Sequence, residues 1–141
     1  MDKELINSLR EKYNLRDIES VAYCENIELV YLDFPESIKG VYYSQNEINV
    51  IAINKNLLQK EKIETFWHEY YHYLKSVGNF ISIKFCLNSI KNFITKDEDR
   101  ADEFVARLLI DSKSENDTLE ELEEKYNVTY KLAEKRLQLK D

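Results

Sequence analysis

The chain has 141 residues, 43% of them apolar and 33% charged, with a formal net charge of −7. That length fits one domain with a real core, and the acidic balance excludes a broad nucleic-acid surface, because phosphate binding needs a basic face. There is no long uncharged apolar run, and the charged N-terminus MDKELINSLREKYNL lacks the pattern of a signal peptide, so no membrane contact and a cytoplasmic location are expected.

Two glycines and one proline leave few breakers, so most of the chain is expected in regular elements. Leu5, Ile6, Leu9 and Tyr13 recur at helical spacing over residues 2–14. Asp17 is placed to cap a second short helix over 17–26. IELVYLDF (27–34) is rich in strand formers and stops at Pro35. GVYYS (40–44) and INVIAIN (48–54) flank QNE, a hairpin turn, and the three runs predict a small three-stranded sheet. The pattern is helical again from Lys55 to Val77, and Gly78-Asn79 ends it. Residues 80–94, FISIKFCLNSIKNFI, fit two periods. Ile83, Cys86, Leu87, Ile90 and Ile94 suit a helix, while Ile81, Ile83, Phe85 and Leu87 suit a strand; the helix is the favoured reading. DEDRADEFVARLLI (97–110) is a strong helix.

DSKSEND (111–117) breaks the apolar pattern and reads as a linker. It divides the chain into a main domain over 1–111 and a helical C-terminal tail over 112–141. In the tail, TLEELEEKYNV (118–128) and TYKLAEKRLQL (129–139) read as two short helices. They are faintly like a helix-turn-helix, but the tail is not strongly basic, and a helical pair packed on the core is the favoured reading. Cys24 and Cys86 form no C-x-x-C and read as small core residues.

Residues 68–72 read HEYYH and contain both histidines of the chain. On a helical wheel Ile63, Phe66, Trp67, Tyr70 and Leu74 form one apolar stripe, and His68, Glu69 and His72 fall on the other side with Thr65. Two imidazoles one turn apart can reach one metal at about 2.0–2.1 Å. Glu69, next to the first, can reach a water there without binding the metal, as a general base must. A catalytic zinc site takes three protein ligands and keeps one open position. With no third histidine, a carboxylate has to serve, and the next strong helix offers Asp97, Glu98, Asp99, Asp102 and Glu103. Ala101, Val105, Leu108 and Leu109 form the buried stripe of that helix. Glu98 and Asp102 stand in line with Val105 and Leu109, and a carboxylate on a buried face is costly unless paired or on a metal. Glu103 shares the outer face with Arg100 and Arg107, a solvated ion-pair row. Glu98 is therefore the expected third ligand. Asp102, one turn on, is placed to accept the free ring N–H of a ligand histidine and orient it.

HEYYH, followed by EDRAD (98–102) and FVARLLI (104–110), resembles the ImmA/IrrE metallopeptidase family, whose pattern is HExxH and then a helix of this form. Upstream, IELVYLDFP, GVYY and IAIN (51–54), followed by the helix that carries HExxH, match the family's layout, so the resemblance covers residues 15–111. It implies an α+β, zincin-like fold with a small sheet packed on helices, a Zn2+ held by His68, His72 and Glu98, and Glu69 as general base. It also implies a protein substrate, a helix-turn-helix transcriptional repressor, cut once so that genes of a phage, another mobile element or a stress response are released. Three departures stand out: Tyr71 where the family often has a small residue, Ile110-Asp111 where the helix usually closes with Met-Pro, and an apolar segment, 80–94, longer than expected between the two motifs. Peptide hydrolysis also needs a donor for the developing oxyanion. No histidine is left for it, and Tyr71, Tyr73 and Arg100 stay open as candidates. The rival reading is a metal-binding module that holds a repressor or toxin without cutting it.

Overall fold

The computed structural model describes residues 3–76, 80–85 and 96–140. Helix α1 (Lys3–Lys12) buries Ile6 and Leu9. Asp17 caps α2 (Ile18–Cys24) by accepting the Ser20 N–H, one of the donors that a helix start leaves open. α2 buries Ile18, Val21 and Ala22. Cys24 is exposed, which corrects its reading as a core residue: the period that buries those three positions turns Cys24 outward. Cys86 lies outside the described residues.

The three expected strands are β1 (Glu28–Leu32), β2 (Ile38–Gln45) and β3 (Ile48–Asn54). Asn46 and Glu47 join β2 to β3 with φ of 53° and 66°, the left-handed geometry of a tight hairpin. Asn54 donates its side-chain N–H groups to the carbonyls of Phe34, Pro35 and Ile38, at 3.3, 3.3 and 3.0 Å, and so ties the β1–β2 connection to the sheet. A fourth strand, β4 (Phe80–Phe85), corrects the helix favoured for the start of 80–94. It pairs antiparallel with β2, Tyr43 opposite Ile81. Both periods were present in the sequence. The free edge of β2 selects the period of two, because it offers backbone partners that a helix would leave open. Residues 86–94 lie outside the described residues. The sheet order is β1-β3-β2-β4, with β1 parallel to β3 and the other pairs antiparallel.

α3 (Gln59–Lys75) packs across β2, β3 and β4. Trp67 anchors it by donating its indole N–H to the Leu15 carbonyl at 2.8 Å. Gly40 lets β2 lie close: a Cβ there would fall 2.6 Å from Thr65 Cγ2 and 3.1 Å from the Ala52 carbonyl oxygen. Every residue from Thr65 to His72 is buried, so α3 is enclosed on all sides there rather than along one stripe. Leu74, placed on that stripe by the wheel, is 36% exposed in the last turn.

α4 (Lys96–Leu109) crosses α3 and buries Ala101, Phe104, Val105, Ala106 and Leu108. The tail forms α5 (Leu119–Tyr126) and α6 (Tyr130–Gln138), capped by Thr118 and Thr129. Leu122, Val128, Leu132 and Ala133 join the same core as α1 to α4. Arg136 is buried and donates Nε–H to the Ile110 carbonyl at 2.8 Å, covering the end of α4. The tail is thus a helical pair packed on the core of an α+β fold. No helix among the described residues is long and apolar enough to cross a membrane.

Candidate metal centre

His68 and His72 leave α3 one turn apart on one face, with ring centroids 5.1 Å from each other. Glu98, in the first turn of α4, reaches both: its Oε2 lies 2.9 Å from His68 Nε2 and its Oε1 2.8 Å from His72 Nε2. The ligand atoms of the three side chains all lie within 4.8 Å of one another. Both histidines are buried, while the Glu98 side chain is 23% exposed, so the group is closed on its helical sides and reaches solvent beside Glu98. Two ring nitrogens and one carboxylate oxygen, converging from two rigid helices, can hold a metal ion.

Burial pushes the Glu98 carboxyl upward, but the hydrogen bonds and charges of His68 and His72 outweigh it and hold the group well below the usual carboxylate range.

Asp102, one turn after Glu98, places Oδ1 3.0 Å from His68 Nδ1. His68 thus has a carboxylate of α4 at each ring nitrogen. The other acids of this helix face elsewhere. Glu103 pairs with Arg107 at 3.8 Å, Asp99 with Lys135 at 2.6 Å, and Asp97 is exposed. Glu69 is fully buried beside β2, where a Cβ on Gly40 would come 3.8 Å from its Cγ. Of the three oxyanion candidates, Tyr71 packs its ring on His72 and Phe104, at centroid distances of 5.8 and 5.6 Å. Tyr73 turns toward Tyr42 and Tyr70, at 6.2 and 5.5 Å, and Arg100 is exposed.

One part of the surroundings left no mark in the local sequence. α6 borders a cavity that His68 and Asp102 also line. A contact between the tail and the middle of α3 depends on tertiary packing, and periodicity carries no trace of it.

The sequence pattern of Peptidase_M78, the IrrE N-terminal-like domain, matches residues 22–138, from within α2 to the last residue of α6. No curated protein and no solved structure matches the chain. The match takes in most of the chain, both histidines, Glu98 and the tail helices, and on that ground the chain belongs to the IrrE N-terminal-like family, a metallopeptidase-like family.

Proposed function

We propose that the protein is a zinc-dependent endopeptidase. His68, His72 and Glu98 hold the metal, Glu69 is the general base, and the substrate is a helix-turn-helix transcriptional repressor. The observation that carries this reading is the buried His68–His72–Glu98 group within a domain of this family. Two imidazoles and one carboxylate are a donor set that catalytic zinc takes, unlike the all-oxygen shells of calcium and magnesium. Bound zinc supplies a Lewis acid for the scissile carbonyl and a water of lowered pKa.

The rest falls to the chain. Asp102 accepts the Nδ1–H of His68, which fixes the tautomer that leaves the Nε2 lone pair for the metal. Glu69 takes a proton from the attacking water and passes it to the leaving amine.

The substrate class is supported by the family resemblance and by charge. A net charge of −7 suits a partner with a basic surface, and a DNA-binding repressor has one. Such a substrate places the protein in the cytoplasm, with no direct nucleic-acid or membrane contact of its own. The sequestering alternative drew on the missing oxyanion donor and on the bulk of Tyr71. That ring is buried against Phe104, so its bulk lends the alternative no support.

The test is to mix zinc-loaded protein with any helix-turn-helix repressor that a neighbouring reading frame encodes, with and without chelator. One cut that the chelator abolishes is expected. A stable complex with an intact repressor would support sequestration instead.

A further inference from the structure

Lys3, Asn7 and Arg10 stand at helical spacing on one face of α1. With Arg107 of α4 and Arg136 of α6 they line a cavity of about 330 Å3, which Asp111, just past α4, also borders. Among the described residues of this lining, four side chains are cations and one is a carboxylate. In a chain of net charge −7 that is a local reversal of sign.

Neutral groups fix the guanidinium groups in place. Arg10 donates Nε–H to the Leu108 carbonyl at 3.2 Å, Nη1–H to Asn7 Oδ1 at 3.2 Å and Nη2–H to the Arg107 carbonyl. Arg107 donates Nη2–H to the Lys140 carbonyl at 2.8 Å, and the buried Arg136 donates Nε–H to the Ile110 carbonyl at 2.8 Å. Three of these acceptors are open carbonyls at the end of α4, where the helix dipole amounts to about half a negative charge. Such bonds hold the groups without cancelling their charge. Glu103 stands 3.8 Å from Arg107, beyond a hydrogen bond, and Asp111 accepts the Tyr126 O–H at 3.1 Å. A guanidinium has five N–H donors, so the three bonds of Arg10 leave two in hand. Arg107 Nε is buried with no hydrogen-bond partner among the described residues. Burial, and then the charge of Arg136, push the Arg10 pKa below its ordinary value, and Asp111 and Tyr126 do not make up the difference. Negative charge is what this cavity lacks.

We infer that the cavity between α1, α4 and α6 binds a phosphate group, free or carried by a small phosphomonoester. Cations line it from three helices, which suits the several outer oxygens of a phosphate, whereas a carboxylate fills a single guanidinium fork. A phosphomonoester also carries about −1.5 to −2 at neutral pH, more than a carboxylate can bring. The volume falls at the small end of ligand sites. Arg107 is in the last turn of α4, about 14 Å along the helix from Glu98 in its first turn, so this site is separate from the metal centre. A bound phosphate would tie the first helix and the tail to the helix that carries Glu98.

The experiment titrates the zinc-loaded full chain, freed of excess metal, with inorganic phosphate and with glycerol phosphate by calorimetry at constant ionic strength, with acetate as the control. One saturable site is expected for at least one phosphate probe, and the tighter of the two tells the free ion from the ester. Arg107→Gln should weaken binding about tenfold or more, the loss of a charge-assisted hydrogen bond. Asp111→Asn removes the carboxylate from the lining and should tighten it. Lys3→Gln changes an exposed residue at the start of α1, should weaken binding to a smaller extent, and keeps the test alive where Arg107→Gln fails to fold. Thermal midpoints without ligand show which variants are folded. No saturable binding of either phosphate probe would overturn the assignment, as would acetate bound as tightly as phosphate. Folded Arg107→Gln and Lys3→Gln proteins that bind phosphate as wild type does would overturn it too, since that is the result for phosphate seated at the metal centre.

Discussion

His68 meets one carboxylate at each ring nitrogen, Glu98 at 2.9 Å and Asp102 at 3.0 Å, yet the two acids do different work. Glu98 also reaches His72, so Glu98→Ala removes a donor from the group itself. Asp102→Ala leaves the three donors but frees the ring of His68 to turn, a loss of about 10–100-fold in metal affinity. Glu103→Ala removes only the half-buried pair with Arg107, an i,i+4 pair worth about 0.3–0.5 kcal/mol of stability, and should leave affinity unchanged. A zinc competition titration on the three variants should rank the damage Glu98, Asp102, Glu103. Metal lost from Glu103→Ala and kept by Glu98→Ala would contradict it. Most of this centre was legible because helical phase is a local property. HEYYH fixes two donors on one face, and the apolar stripe through Val105 separates Glu98 and Asp102 from Glu103. The α6 wall was not legible, because it comes from packing between distant segments.

Gly40 shows how one element is seated on another. Its φ lies outside the left-handed region, so what it supplies is space: a Cβ would meet Thr65 Cγ2 at 2.6 Å. Gly40→Ala should therefore cost about 1–3 kcal/mol, as overpacking does. Adding Thr65→Ser deletes the clashing methyl and should recover much of that loss. Urea denaturation of the single and double variants measures both; a Gly40→Ala protein as stable as wild type would mean that β2 and α3 do not pack this closely. At this scale the helices and three strands were readable from caps and periods, with Asp17 doing as a cap what its position suggested. β4 was misread because Ile81, Ile83 and Phe85 satisfy a strand while Ile83 also begins a helical set. Only the edge of β2 decides between them.

Across the whole molecule, Glu25 links three helices. Placed at the end of α2, it accepts from Tyr13 at 2.6 Å and from Tyr70 of α3 at 2.9 Å, and pairs with Lys12 of α1 at 3.6 Å. Burial pushes its carboxyl upward, but those hydrogen bonds and Lys12 prevail and hold it below its ordinary value. A carboxyl lowered on folding adds stability above its unfolded pKa and loses it as pH falls through the folded one. Glu25→Gln should therefore melt earlier than wild type at neutral pH, and the gap should close below about pH 4. A gap that stays constant through acid pH would show that the charge of Glu25 plays no part. The tail belongs to this same whole, since Leu122, Val128, Leu132 and Ala133 complete the core on which the metal-centre helices rest. In the proposed function this core carries a zinc peptidase with Glu69 as its base. Its most direct test is peptide cleavage by Glu69→Gln set against wild type, both carrying one zinc per chain. The nearly isosteric amide cannot accept the proton of the attacking water, so the wild type should cut and the variant should keep its metal and fold while cutting nothing. Cleavage by the variant at the wild-type rate, or none by the zinc-loaded wild type, would contradict the account.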